Sequence, residues 1–550
     1  MKPCNPLNPF INPCNPCCRF SCGGQSGGLP GRQGPQGPQG PAGPCNLSNL
    51  VDGETDGSVK GIHTGGGCNG ENNSPLGVDA VALNTNTVAS GASSLAIGIG
   101  NVASGEASFA QGRCTVASGV HAVAEGNSTM ASGDYAHAEG VATTASGIVS
   151  HAEGTQTTAS GYACHAEGLD AMAQGNFSHA EGIGTMAIGE YSHAEGNSTT
   201  ASSFASHAEG FMSTVSGVSA HAEGENTTAS GWGSHAEGVY TTASAGFAHA
   251  EGMSTTASGY CSHAEGQITT ASAQSSHAEG GTTIASGNGS HAEGVYTTAS
   301  GVASHAAGFG TIAQNWYQTV IGKNNVPTNT ALNNTPNDDA FLIGNGYSDT
   351  ARSNAFRVQY TGNVYAAGTV NPGGADYAEM FEWLDGNPQN QDRRGFFVTL
   401  DGERIRIATG RDEYVLGVVS ALPAVVGDAW ACGWRDMFLR DKWGAALHEW
   451  VEIPQEDNLF HQEADEAKMV RRQAPKLNPA YDATREYQPR TERAEWAAIG
   501  LVGKLTVRDD GSCKPNGYCR PNPQGMATAS ESGHRVLKRI DTDMVLIVLR

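Results

Sequence analysis

Small apolar and polar residues alternate with a period of 14 through the middle of the chain. From residue 137 to residue 305 a histidine recurs every 14 positions, thirteen times, and twelve of these sites read His-Ala-Glu-Gly. Glycines outside that range keep the same spacing: Gly98, Gly112, Gly126 and Gly322. A fixed period over about 79–322 predicts coils that stack on their neighbours, as in a solenoid or fibre.

Each 14-residue unit predicts two short strands. In residues 127–140, NSTMASGDYAHAEG, Ala131 lies seven positions before Ala138. Because side chains alternate between strand faces, Ala138 points away from the face that carries His137 and Glu139. Glycine every seventh residue disfavours helix. The predicted fold class is therefore mainly β: a narrow β-roll or β-solenoid with alanine in its inward positions.

The outward positions predict ladders of histidine and glutamate. They repeat in pairs along the array: His137 and Glu139, His151 and Glu153, His165 and Glu167. Stacked carboxylates repel unless each has a donor, and the neighbouring imidazole is the obvious one. We interpret the pairs as a structural ladder rather than a metal centre or a catalytic site, with no cofactor. Such a ladder should loosen at acid pH, once the glutamates are protonated and the histidines are charged.

A single alanine-filled coil buries too little apolar surface to be stable by itself. Three chains side by side would cover one face of each coil, so we predict a homotrimer. With a rise of about 4.8 Å per rung, some seventeen rungs give a rod on the order of 80 Å long.

The N-terminal region contains a second segment, at 28–45, whose pattern predicts three associated chains. Residues 1–27 are rich in Pro, Asn and Cys and predict disorder. Residues 28–45 form six Gly-X-Y triplets, the collagen period, although a stiff Pro/Gly linker is the alternative. A polar connector follows at 46–78. Six cysteines in the first 45 residues indicate disulfide cross-linking or anchoring, with metal binding as the alternative.

Charge and hydropathy exclude several classes of partner. The formal net charge is −23, and Arg113 is the only Lys or Arg between residues 61 and 322, so we expect no nucleic-acid ligand for the repeats. No apolar run approaches the roughly 20 residues of a membrane span. The N-terminus lacks the apolar core of a secretory signal peptide. We therefore expect an extracellular or particle-surface protein, in a spore outer layer or a virion, released by another route such as cell lysis.

The sequence beyond the array has a different composition. Residues 323–370 predict a β-rich connector with a hairpin at 356–370. Residues 371–550 hold most of the tryptophans and predict a β-rich α+β domain. The strands are expected at 395–400, 404–408, 415–420, 499–507 and 544–550, and one helix is expected near 462–473. Cys513 and Cys519 are either a local disulfide or free thiols.

Two carboxyls follow a flexible breaker at the start of this domain. After Gly373 and Gly374 come Asp376 and Glu379, three residues apart among apolar neighbours. One ionised and one protonated carboxyl can divide the work of peptide cleavage, because the first activates water and the second serves the leaving amine. A capping Asp and an exposed Glu on a short helix are the structural alternative.

Two resemblances extend these interpretations. The repeat SGxxSHAEGxxTTA resembles the 14-residue motif of trimeric adhesin heads, which form trimeric β-rolls, but it departs from that family in its regular His and Glu. Four blocks resemble the intramolecular-chaperone auto-processing domain of phage neck appendages and related fibres, which is classed as a glutamic-type peptidase: GGADYAEMFEW, VLGVVSALPAVVGDAW, RDMFLRDKWGAALHEW and the stretch from NPAYDATREY to RDDGSC.

The second resemblance implies a mechanism and a site. A domain over 371–550 would align three chains and then cut itself off, as the only enzymatic activity of the chain and with no external substrate. The family's acidic residues correspond to Asp376 and Glu379, and the scissile bond would lie among Gly373, Gly374, Ala375 and Asp376. The alternative function is an adhesin or receptor-binding fibre, with a surface glycan or protein as its receptor and no active self-cleavage.

Overall fold

The structure is a computed structural model that describes residues 77–84, 86–327, 338–431, 433–454, 469–484 and 486–550. The predictions for residues 1–76, including the collagen-like segment and the cysteine cross-links, lie outside the described residues. The chain divides into two compact units, with the boundary between Tyr365 and Ala366.

The first unit is a β-solenoid, which confirms the predicted fold class of the array. Each rung has one longer strand and one two-residue strand, and seventeen of the two-residue strands stack in a row. The longer strands, five residues each in most rungs, are Val81–Leu83, Leu95–Ile99, Phe109–Arg113, Val123–Asn127, His137–Val141, His151–Thr155, His165–Leu169, His179–Ile183, His193–Asn197, His207–Ala208, His221–Glu225, His235–Val239, His249–Ala250, His263–Gln267, His277–Gly281, His291–Val295, His305–Phe309 and Thr319–Lys323. The two-residue strands are Val88–Ala89, Val102–Ala103, Val116–Ala117, Met130–Ala131, Thr144–Ala145, Thr158–Ala159, Met172–Ala173, Met186–Ala187, Thr200–Ala201, Thr214–Val215, Thr228–Ala229, Thr242–Ala243, Thr256–Ala257, Thr270–Ala271, Ile284–Ala285, Thr298–Ala299 and Ile312–Ala313.

Parallel pairing joins each rung to the next with a constant offset of 14 residues. His137 pairs with His151 and Ala138 with Ala152, and the same register continues along the array. Ala131 and Ala138 are fully buried, and alanine is buried at the equivalent positions of nearly every rung. Serine and threonine side chains such as Thr143 and Ser150 are buried beside them. The interior is therefore a column of small side chains, with alanine in the inward positions that the alternation of the sequence predicts.

Two positions of the rung, both glycine in most rungs, allow the backbones of adjacent rungs to touch; Ser203, Ala245 and Ala273, for example, occupy the second position in three rungs. A Cβ on Gly140 would lie 2.0 Å from the carbonyl oxygen of Gly154, and one on Gly133 would lie 1.9 Å from that of Gly147. Gly140 also has a φ of 107°, which side chains rarely adopt. The glycine equivalent to Gly140, which recurs in every rung from Gly98 to Gly322, is thus required by the close approach of successive coils.

Beyond the array, the strand Thr319–Lys323 still pairs in parallel, with Asp339–Asn345. The next strand, Asn354–Gln359, pairs with Asp339–Asn345 in the antiparallel sense, so the parallel stack ends there. The strand Val364–Ala366 follows after a turn in which the amide of Gln359 donates to the carbonyl of Asn363.

The second unit is built around one long strand, Trp496–Arg508. It pairs with Gly417–Val419, with Met544–Leu549 and with Asp376–Glu382. The remaining elements of this unit are Phe397–Asp401, Arg404–Ile407, Val425–Gly427, His448–Pro454, Met469–Pro475, Tyr518–Pro521, Ala527–Ser530, His534–Asp541 and the 3-10 helix Arg490–Glu492.

Large side chains fill this second unit. Trp383, Phe397 and Ile547 are buried. Cys513 and Cys519 are buried free thiols, close enough to hydrogen bond, and burial raises the pKa of Cys519 to about 12. Thiols with so high a pKa are poor nucleophiles.

The helix predicted near 462–473 is wrong for its described residues. Residues 469–473 belong to the strand Met469–Pro475, which pairs with His448–Pro454, and the earlier part of the segment lies outside the described residues. Cross-strand pairing therefore overrode the local helix preference. The described part of this unit contains no α-helix, so it is β-rich without the expected α component. No helix among the described residues is long and apolar enough to cross a membrane.

Candidate functional site

Asp376 and Glu379 lie on one strand but face opposite sides of it. The strand Asp376–Glu382 pairs antiparallel with Trp496–Arg508 and parallel with Val425–Gly427. Asp376 and Ala378 are buried, whereas Tyr377 is exposed and Glu379 is half-buried. This alternation, expected for residues three apart on a strand, excludes the short helix that was the structural alternative.

The carboxyl of Asp376 is buried and incompletely satisfied. The residue is 5% exposed, and its Oδ2 has no hydrogen-bond partner among the described residues. Burial raises the pKa of Asp376, although a hydrogen bond with Ser420 opposes this effect. A carboxyl whose pKa is raised takes up a proton at a higher pH than an exposed carboxyl does, and in the protonated form it can act as a proton donor.

Backbone hydrogen bonds hold the two peptides that flank Asp376, one on each side of the residue. The amide of Lys504 donates to the carbonyl of Ala375 at 3.2 Å, and the amide of Ala424 donates to the carbonyl of Asp376 at 2.8 Å. A Cβ on Gly503, whose φ is 124°, would lie 2.4 Å from the carbonyl oxygen of Ala375. Only glycine therefore allows this close approach.

Tyr377 lies beside Glu379 on the other face of the strand. The Tyr377 hydroxyl donates a 2.6 Å hydrogen bond to Oε1 of Glu379, and this bond raises the pKa of the tyrosine. Gly427 leaves room for the pair, because a Cβ there would meet the Tyr377 hydroxyl at 2.9 Å and Cγ of Glu379 at 3.0 Å. The sequence does place Tyr377 on the same strand face as Glu379, two residues away. Distant pairing brings Ser420, Lys504 and Gly503 to the site, and no local pattern singles them out.

The two carboxyls therefore do not converge within one chain. Asp376 lies beside the Ala375–Asp376 peptide, whereas Glu379 projects from the opposite face with Tyr377. The site in a single chain has a proton donor and a polarised carbonyl at this peptide, but its carboxylate base points away from it.

The histidines and glutamates of the rod form continuous ladders on the outward face of the longer strands. The rings of His137 and His151 stack with their centroids 4.7 Å apart and a 2° angle between their planes, and the stacking continues to His305. His193, His207 and His235 lie closest to the glutamate of their own rung, whereas most of the imidazoles lie closest to a glutamate of the preceding rung. For example, Nε2 of His151 lies 3.8 Å from Glu139 and Nε2 of His165 lies 3.3 Å from Glu153, while Glu167 contacts His179 at 3.5 Å.

The glutamates share protons along their ladder. Hydrogen bonds with the glutamates of adjacent rungs raise the pKa of Glu181 to about 7 and that of Glu209 to about 8, whereas they lower the pKa of Glu195 between them. A carboxyl with a raised pKa can thus hold a proton that the adjacent carboxylate, whose pKa is lowered, accepts. Burial, followed by the charge of neighbouring imidazoles, lowers the pKa of several histidines: His151, His179, His193, His221, His249 and His277.

The ladder places potential metal ligands together. Ligand atoms of His151, Glu153 and His165 lie within 4.8 Å of one another. The rings of His151 and His165 are nearly parallel, with their centroids 4.7 Å apart. The structural ladder stays our prediction for these residues, with metal binding as the alternative.

Comparison with known families confirms both resemblances. Residues 327–545 match the Peptidase_G2 family, described as the IMC autoproteolytic cleavage domain. The YadA head domain repeat matches the array in five stretches: 89–112, 166–192, 180–202, 208–234 and 222–244.

Among individual proteins, the pre-neck appendage protein of Bacillus phage B103 is 29% identical over 200 residues, which are 35% of this chain and 21% of that protein. The preneck appendage protein of Bacillus phage PZA is 33% identical over 155 residues, 28% of this chain and 16% of that protein. This chain thus spans about a fifth or less of the length of these curated relatives. A crystal structure of the C-terminal fragment of bacteriophage phi29 gene product 12 aligns at 25% identity with a TM-score of 0.26, over 32% of this chain and all of that one. The chain thus combines a run of segments that match the YadA head domain repeat with a following segment that matches the IMC autoproteolytic cleavage domain.

Proposed function

We propose that this chain is a homotrimeric appendage fibre of a phage particle, whose C-terminal domain aligns three chains and then cuts itself from the rod at the Ala375–Asp376 bond. The match of residues 327–545 to an autoproteolytic cleavage domain, directly after the repeat array, is the observation that carries this proposal. The appendage names of the relatives support a place in a virion rather than in a spore layer.

The need for an aligning domain follows from the rungs themselves. Nearly identical rungs make a shift of one chain by 14 residues almost neutral in energy, because each alanine and each glycine finds an equivalent partner. A domain with a unique core fixes the register before the rods associate. Once the rods are joined, the domain is no longer needed, and its removal prevents the assembly from reversing.

The chemistry we assign is hydrolysis with one acid and one base. The carboxylate base takes a proton from water, and the resulting hydroxide adds to the carbonyl carbon of Ala375. The Lys504 amide donates to the carbonyl oxygen as negative charge develops on it. The protonated carboxyl of Asp376 then donates its proton to its own amide nitrogen as the C–N bond breaks.

We assign the base to Glu379 of a neighbouring copy. Within one chain Glu379 lies across the strand from Asp376, so an unaltered strand cannot present both groups to one peptide. A trimer can bring the exposed face of one copy toward the cleavage peptide of the next. Cleavage would then occur only after assembly, which is the order that a register-setting domain requires.

The first experiment is to express the full chain and separate it on a denaturing gel. We expect fragments 1–375 and 376–550 from the unaltered chain and only the intact chain from Glu379→Gln, and mass spectrometry of the fragments identifies the bond. An unaltered chain that assembles and yet stays whole would exclude self-cleavage and support the adhesin alternative.

The second experiment tests the assignment of the base. A chain with Asp376→Asn and a differently tagged chain with Glu379→Gln are produced separately and together. If the base comes from a neighbouring copy, co-expression restores cleavage of the Glu379→Gln chain, which retains its own Asp376. If co-expression restores nothing while the unaltered chain is cut normally, acid and base act within one chain.

A further inference from the structure

Seven aromatic side chains lie along one edge of the rod, in the turn between the two-residue strand and the longer strand. They occupy seven of eight consecutive rungs and form two runs separated by the rung of Val218. The aromatic stripe consists of Tyr162, Phe177, Tyr191 and Phe204, followed by Trp232, Phe247 and Tyr260. Each of these side chains is between 43% and 57% exposed.

Neighbouring rings of the stripe contact one another from rung to rung. Phe177 and Tyr191 stack with centroids 5.0 Å apart, and Trp232 meets Phe247 edge-on at 4.6 Å. These contacts hold each ring in place while one side of it remains open to solvent. With about 4.8 Å per rung, the stripe is a fixed aromatic surface on the order of 35 Å long.

The fold does not require aromatic residues at these positions. Phe177, Tyr191 and Phe247 have a φ between 56° and 58°, a conformation that bulky residues adopt at a cost. Gly233 and Gly289 occupy the equivalent turn position in other rungs with nearly the same φ. Aromatic side chains thus occupy a turn position at which a smaller residue would adopt the backbone conformation at a lower cost. This indicates that the rings have a role on the surface of the rod.

We propose that the aromatic stripe binds a neutral polysaccharide. A pyranose ring has a face of C–H groups that stacks on an aromatic ring, whose face carries negative electrostatic potential. A linear stripe, rather than a pocket, suits a polymer with many equivalent rings. Anionic polymers are unsuited, because Arg113 is the only Lys or Arg between residues 61 and 322 and the acidic rod repels them.

A second copy of the rod is the competing occupant, and the sequence of the stripe disfavours it. Positions that join one coil to another are nearly constant, as the buried alanines and the rung glycines show. The stripe instead varies among Tyr, Phe and Trp and switches between two adjacent positions of the turn. This inference names a ligand class for the proposed fibre and does not depend on self-cleavage.

The test is affinity electrophoresis of the full chain through gels that contain a soluble neutral glucan or a soluble N-acetylglucosamine polymer, with polygalacturonate as the anionic comparison. We expect a neutral polymer to retard the protein and polygalacturonate to leave it unaffected. The combined variant Tyr162→Ser, Tyr191→Ser and Trp232→Ser should bind at least about tenfold more weakly.

The matched control replaces Tyr240 and Tyr296 by serine. Both are exposed aromatic residues on the other edge of the rod, in turns that follow the His-Ala-Glu-Gly strand. The control should keep full binding, and circular dichroism and sedimentation of both variants check that fold and assembly are unchanged. No retardation by either neutral polymer, an equal loss in the control, or loss of assembly in the stripe variant without any loss of glycan binding would each overturn the proposal.

Discussion

The rod and the C-terminal domain are both built from strands, but their cores use opposite kinds of side chain. Fully buried alanines such as Ala138 fill every rung of the rod, whereas Trp383, Phe397 and Ile547 fill the domain. A column of identical methyl groups fits equally well in many registers, while large side chains of different shape specify one packing. The rod therefore supplies length and the domain supplies uniqueness, which explains why a fibre would need a part that it later discards.

Removal of the domain should have the largest effect. A chain that ends at residue 370 keeps every rung but has no unique core to set the register. We expect a broad distribution of associated species in sedimentation velocity, against one discrete species for the full chain. If the shortened chain gave a single sharp species with the same number of chains as the cleaved rod, the rungs would align by themselves.

A side chain added at the close contact between successive rungs should destabilise the rod. Gly182→Ala would place a Cβ 2.1 Å from the carbonyl oxygen of Gly196, so we expect a loss of about 2–4 kcal/mol in the free energy of unfolding of the rod. Gly184 is the matched control, because its φ is also positive, at 64°, but its Cβ would meet only Ser198 Oγ, at 3.8 Å. Gly184→Ala should cost about 1 kcal/mol. Equal losses in thermal melts of the two rods would contradict the close-contact account.

The proton-sharing glutamates should make the stability of the rod depend on pH in two directions. The raised pKa values of Glu181 and Glu209 mean that the folded rod binds protons more tightly than the unfolded chain does. Their contribution is complete below pH 4.5 and is lost as the pH rises through about 7–8. The lowered pKa values of histidines such as His193, and of Glu195, act in the opposite sense, because their contributions are lost as the pH falls below 6.5 and 4.5 respectively.

The melting temperature of the cleaved rod should therefore be highest between about pH 4.5 and 6.5 and fall on both sides. The fall in melting temperature at acid pH agrees with the loosening expected from the sequence. The fall at alkaline pH is expected only from the structure. Glu209→Gln should reduce the alkaline loss, because an amide donates to the adjacent carboxylates at every pH. Glu225→Gln, at the exposed end of the strand His221–Glu225, serves as the control and should leave the profile unchanged. A flat profile for the unaltered rod from pH 4 to 9 would contradict proton sharing.

Substitution of Tyr377 should have the smallest effect of these changes, and it should act on the rate of cleavage. The Tyr377 hydroxyl donates to Glu379, so it positions the base without touching the cleaved peptide. We expect Tyr377→Phe to slow cleavage about three- to tenfold, because the carboxylate loses the hydrogen bond that fixes its position. A cleavage rate equal to that of the unaltered chain would contradict a positioning role for Tyr377.

The sequence predicted the rod better than the site, for physical reasons. Local alternation and the 14-residue period are sufficient for the two strands of each rung, because each rung contacts only its neighbours. The strand Asp376–Glu382 depends on pairing with Trp496–Arg508, which local pattern does not reveal, and that pairing separates Asp376 from Glu379. For the same reason residues 469–473 form a strand although their sequence favours helix.

The most direct test of the account is the native mass of the cleaved rod. We predict that fragment 1–375, separated from 376–550 and measured by native mass spectrometry, has three times the mass of its denatured chain. A well-ordered rod with the mass of a single chain would contradict the account, because alanine-filled coils would then be stable without partners and would need no domain to align them.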